Sequence, residues 1–143
     1  MSDDTQSPKP PPPPDGLVKL DAKGKPTATG RKDGAGRRLW KQLTADGKYV
    51  LRPDELRYLE DACKLADRAE ALDREAQTRP TTVRGSTGQP VINPLLAEER
   101  QCRTAIGQLL SKIKMPDDPG EAAGNPRSVG ARTAAQSRWN KTG

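Results

Sequence analysis

The chain contains no histidine and only two cysteines, and apolar residues fill just 31% of its 143 positions. Each shortage excludes something. Without an imidazole, zinc fingers of the Cys-His type and histidine-based nuclease or acid–base centres are ruled out. Cys63 and Cys102 both fall on apolar helical stripes, so they are read as small buried hydrophobes rather than as a disulfide. Globular domains usually carry about 45–50% apolar residues on a count that includes glycine, so the core must be small. No run approaches the roughly 18 apolar residues of a membrane span, and the acidic opening "MSDDTQSPKP" lacks the character of a signal peptide. A cytoplasmic protein with no membrane partner is expected.

What the chain has in excess is proline, glycine and positive charge. Its fourteen prolines and thirteen glycines crowd into the first thirty-six residues, the 80–94 interval and the tail. The formal charge is +6: residues 1–36 hold six bases against five acids, 37–118 fifteen against thirteen, and 119–143 four against one. Such a balance suits nucleic acid, anionic lipid or solubility alone. Residues 1–35, with "PKPPPPPDG" and then "DAKGKPTATGRKDGAG", have no apolar period and read as a disordered arm. A solubilising tether is the simplest use of that arm; docking to an SH3-like domain is the other.

From Gly36 the pattern changes. In "RRLWKQLTADGKYVL", Leu39, Trp40 and Leu43 share one face of a short helix that stops at Asp46-Gly47, with Trp40 as a core residue. A long helix then opens at Pro53, with Asp54 and Glu55 beside the positive helix end. Along it Tyr58, Ala62, Leu65, Ala69, Leu72 and Ala76 form one stripe, and Leu56, Leu59, Cys63 and Ala66 a second. Charges at i, i+4 spacing (Arg57 and Asp61, Glu60 and Lys64, Glu70 and Arg74) read as a solvated surface. Asn93 and Pro94 launch another helix as N-cap and N1, with a stripe of Leu95, Cys102, Ile106, Leu109 and Ile113, widened by Leu96 and Leu110, ending at Met115-Pro116.

Between the long helices lies "VRGSTGQPVINPLLAEER". Gly85 and Gly88 are three apart and followed by Gln, which does not make a P-loop. "GSTG" matches the GxxG loop of a KH domain literally, but a KH domain also needs a three-stranded sheet. A turn flanked by Val83 and Val91-Ile92, as a loop or a small ribbon, is the expected structure. The fold class expected is therefore all-α: a short N-terminal helix and a long antiparallel helical hairpin joined by a Gly/Pro loop or small β-ribbon, with disordered tails. Its parts are the arm 1–35, a helical core 36–118 and a flexible basic tail 119–143.

Over Gly36 to Asp118 the sequence resembles the small terminase subunit of tailed bacteriophages. The likeness rests on Gly36-Arg37-Arg38-Leu39-Trp40, on "LRPDELRYLEDACKLAD", and above all on the block Gly-Gln-Pro-Val-Ile-Asn-Pro-Leu-Leu. The basic tail "GARTAAQSRWNKTG" is similar to tails in the same group. The resemblance implies a non-enzymatic DNA-packaging factor in the host cytoplasm during phage assembly. It would form a homo-oligomeric ring, bind viral double-stranded DNA at the packaging site, and deliver it to the large terminase subunit, which supplies ATP hydrolysis and cutting. No cofactor and no metal are expected. Alternatives are a structural head-assembly or connector protein without DNA specificity, and a KH-like nucleic-acid-binding module.

A helical hairpin uses one stripe of the first long helix, which leaves the other for self-association in a cyclic oligomer. Leu56, Tyr58, Leu59, Leu65 and Leu72, with Ile106, Leu109 and Ile113, are the candidates for core or interface. Candidate DNA contacts are Arg31, Lys32, Arg37, Arg38 and Lys41 at the start of the folded region, and Arg127 and Arg132 in the tail. Arg138 and Trp139 are the candidate anchor on the large subunit.

Overall fold

The computed structural model describes residues 9–45 and 50–114. In order these form β1 (Lys19–Leu20), β2 (Lys32–Asp33), α1 (Ala35–Thr44), α2 (Pro53–Gln77), β3 (Thr82–Arg84), β4 (Pro90–Ile92) and α3 (Pro94–Ser111). The described residues are mostly helical, with two small antiparallel ribbons, β1–β2 and β3–β4.

Local chemistry accounts for where the long helices begin. Pro53 is the first residue of α2, and the Glu55 carboxylate reaches back to accept the Arg52 backbone N–H at 3.0 Å. Glu55 is 1% exposed, so this cap is buried. At α3 the Asn93 side chain accepts the Leu95 N–H at 3.1 Å, with Pro94 following at N1. The helix ends at Ser111, four residues before the expected Met115-Pro116, which lies outside the described residues.

The stretch between α2 and α3 is a ribbon: Thr82 pairs with Ile92, Val83 with Val91 and Arg84 with Pro90. Gly85 donates to Gln89 O at 2.8 Å, and Gly88 sits at φ +85°, a conformation that side chains with a Cβ rarely adopt. The two glycines therefore shape a hairpin turn. At the base of the ribbon Asn93 donates to Pro80 O from its side chain and to Thr81 O from its backbone, holding the start of α3 beside the end of α2. At the other end the Lys112 ammonium lies 5.0 Å from the Tyr58 ring centre. The two long helices are thus paired along their length.

Both apolar stripes of α2 are covered within the chain. Leu59 and Cys63 are fully buried in a cluster with Leu17, Trp40 and Ile113, against which Leu39, Leu43, Leu51, Leu56, Tyr58 and Leu110 pack. The stripe that begins at Tyr58, about a third of a turn round the helix, buries the small residues Ala62, Ala69 and Ala76. α1 and the arm cover the Leu59–Cys63 stripe. Leu65, Leu72, Ile106 and Leu109 remain half-buried.

The arm differs from the expectation of disorder up to residue 35. From Lys9 onward it is laid on the helices: Leu17 and Leu20 are buried, and the Trp40 indole N–H donates to Pro11 O at 3.0 Å. The physical reason is Trp40, whose ring buries well only if its N–H finds an acceptor. A polyproline carbonyl supplies one. The β1–β2 ribbon in the same segment lies outside the all-α expectation.

Cys63 and Cys102 are free and buried. Burial pushes the Cys63 thiol up to about 12, and the nearby Asp67 charge adds to the effect. Neither cysteine is expected to react with an aromatic disulfide reagent at pH 8 in the folded protein, and both are expected to react at once in denaturant. Rapid labelling of Cys63 in the native state would contradict this packing.

Candidate nucleic-acid interface

Among the described residues, the start of α1 carries a polar arrangement that joins the arm, α1 and α2. Gly34 caps the helix without a side chain, so the first N–H groups need other acceptors. Two carboxylates of α2 provide them. Asp67, itself buried, accepts Gly36 N–H on Oδ1 and Val18 N–H on Oδ2, each at 2.8 Å. Glu70 accepts Ala35 N–H at 3.2 Å and the Arg38 guanidinium at 2.9 Å. Asp67 thus ties the arm, α1 and α2 together, with its negative charge at the positive end of a helix.

Glu70 is desolvated by partial burial, which raises its pKa, but the Arg38 and Ala35 hydrogen bonds and the charges of Arg38 and Arg74 outweigh this and leave it below its ordinary 4.5. A carboxylate with a depressed folded pKa stabilises above its unfolded pKa, and that stabilisation is lost as pH falls through the folded value. Unfolding of Glu70→Gln should therefore depend less steeply on pH below 4.5 than unfolding of the wild type. Chemical denaturation at pH 7 and pH 3 measures the difference; equal losses in both proteins would contradict it.

This arrangement sorts the basic residues. Arg38 is bound to Glu70 and to Asp33 O, and Lys41 pairs with the Asp33 carboxylate. Arg37 directs Nε toward Leu17 O at 3.4 Å, and Lys32 donates to Ala22 O at 3.1 Å. Arg31 is exposed, and among the described residues it forms no ion pair. Arg31, Lys32, Arg37, Arg38 and Lys41 lie on or beside β2 and α1. Arg127, Arg132, Arg138 and Trp139 lie outside the described residues.

Sequence reasoning overlooked Lys19, Lys23 and Lys25, which the fold places beside Arg31 and Lys32. β1 pairs with β2 through Lys19 with Asp33 and Leu20 with Lys32, and Leu20 also bridges to Pro26. The Asp21 carboxylate accepts the Lys23 and Lys25 N–H groups and fixes the turn. A signal was present: Leu17, Val18 and Leu20 precede an Asp-Ala-Lys-Gly turn.

Among the described residues, no group of three or more His, Cys, Asp or Glu side chains is placed to hold a metal ion, and no helix is long and apolar enough to cross a membrane. Comparison with protein-family models, with curated proteins and with solved structures found no match.

Proposed function

We propose that the protein is a non-enzymatic DNA-packaging factor of the small-terminase kind, which binds viral duplex DNA as an oligomeric ring and hands it to a large terminase subunit. The observation that carries this reading is the gathering of cations, most of them exposed, on the β1–β2 ribbon and α1. Phosphate contact needs little more than such cations in a fixed frame, and repetition around a ring multiplies a modest affinity. The sequence resemblance over residues 36–118 supports the same reading, with α2 and α3 as the antiparallel helical hairpin of an all-α core. With the second stripe of α2 occupied by α1, the ring contact falls to the half-buried Leu65, Leu72, Ile106 and Leu109 and to Ile92, which is 71% exposed.

Competition between a duplex carrying the packaging-initiation region of the encoding genome and a random duplex of equal length tests the function. Preference for the former is expected. Equal binding would favour a structural head component, and light scattering showing a stable monomer would remove the ring.

A further inference from the structure

The segment Lys19–Lys32 holds five bases, Lys19, Lys23, Lys25, Arg31 and Lys32, against one acid, Asp21. Among the described residues none of the five forms an ion pair, in contrast to Arg38 and Lys41. Asp21 is already engaged by two backbone N–H groups. Two open hollows adjoin at Thr27, which lines both. One, of about 550 Å³, has Lys19 and Arg37 in its wall, with Asp15 at its margin. The other, of about 520 Å³, has Arg31 and Lys32 with the Thr29 hydroxyl, and Asp21. Each hollow thus offers two cations against one carboxylate, and hydroxyls that can donate to an oxyanion.

Resting on the DNA-binding reading above, we infer that these two hollows seat phosphates of a duplex backbone, making the β1–β2 ribbon the primary and sequence-independent phosphate grip. Duplex is favoured over single strands because no aromatic platform is available among the described residues: Trp40 is 5% exposed and committed to Pro11, and Tyr58 faces Lys112. An anionic membrane is disfavoured because the exposed large apolar residues, Val50 and Ile92, belong to other parts of the fold. Contacts of this kind position the protein on DNA without reading bases. Arg38 and Lys41, held by Glu70 and Asp33, contribute little.

The test measures binding of a labelled 30-bp duplex by fluorescence anisotropy at several salt concentrations. It compares the full chain, the double variant Lys19→Gln/Arg31→Gln, Thr27→Asp and the control Arg57→Gln, each first checked for an unchanged thermal midpoint. Losing two phosphate contacts should reduce the slope of log K against log salt by about 1.8 per engaged protomer, and weaken binding on the order of 10-fold, alike on specific and random duplex. Thr27→Asp, which puts a charge into both hollows, should weaken binding as much, and Arg57→Gln should not. Wild-type binding with slopes unchanged in both ribbon variants would overturn the ribbon grip and leave the DNA-binding reading standing. Tighter binding of a single strand than of the duplex would overturn the choice of ligand. No duplex binding by the wild type even at low salt would sink the functional reading itself.

Discussion

Asp67→Ala is expected to destabilise the protein by about 2–4 kcal/mol, because a buried and a partly buried N–H donor lose their acceptor together and each unsatisfied donor costs about 1–3 kcal/mol. The donors belong to different parts of the chain, Val18 in the arm and Gly36 in the first turn of α1, and both lie 2.8 Å from the carboxylate. Loss of a negative charge at the helix start adds to the cost. Domains of this size are stable by only about 5–15 kcal/mol, so the variant should lose a large share of its stability. Urea denaturation followed by circular dichroism measures the change. Asp67→Asn keeps one acceptor oxygen and should fall between wild type and alanine. A loss under about 1 kcal/mol for the alanine variant would show that water replaces the carboxylate and that the latch is unimportant.

Gly36→Ala is the second large effect. A Cβ at Gly36 would lie 2.3 Å from the Cys63 carbonyl oxygen and 2.8 Å from Asp67 Oδ2. The first of these is backbone in the middle of a long helix and cannot retreat, so α1 would have to lift from α2. Overpacking of this kind costs about 1–3 kcal/mol and sometimes more, and here it also strains the Asp67 hydrogen bonds. The same substitution at Gly107 meets nothing within 4 Å on the exposed side of α3 and should stabilise by about 0.5–1 kcal/mol through helix propensity. Opposite signs for one chemical change, read from paired melting curves, would confirm that the α1–α2 contact is as close as described.

These two positions also show what a sequence can and cannot reveal. Local rules located the helix starts at Pro53 and Asn93-Pro94, and the i, i+4 pairs Arg57–Asp61, Lys64–Glu60 and Arg74–Glu70 form at 3.6, 2.6 and 3.8 Å. Such features depend on residues within one or two turns of each other. Asp67 was invisible because it sits in a run of charged residues that resembles a solvated face. Only the approach of Gly34 and Gly36, some thirty positions earlier, makes it a buried acceptor. The order of the arm is hidden from the sequence for a related reason. Its apolar residues are few, and Leu17 becomes core only because Trp40 and α2 leave a place for it. On the candidate interface, composition identified Arg31 and Lys32, whereas Lys19, Lys23 and Lys25 needed the β1–β2 pairing to bring them alongside.

Packing and charge meet in that ribbon. Asp67 holds Val18, the residue before β1, and Gly34 N donates to Val18 O at 3.0 Å just after β2. Both ends of the basic segment are therefore anchored to the helical body. Weakening the latch should loosen the cations as a group, which links the stability of α1 to the strength of the proposed phosphate contacts.

The most direct measurement is a titration of the full chain into a labelled 30-bp duplex at 50 and 200 mM salt. The account predicts tight binding at the lower concentration and a loss of at least about tenfold at the higher, as displaced counterions require. Absence of binding at 50 mM salt, or binding indifferent to salt, would contradict it.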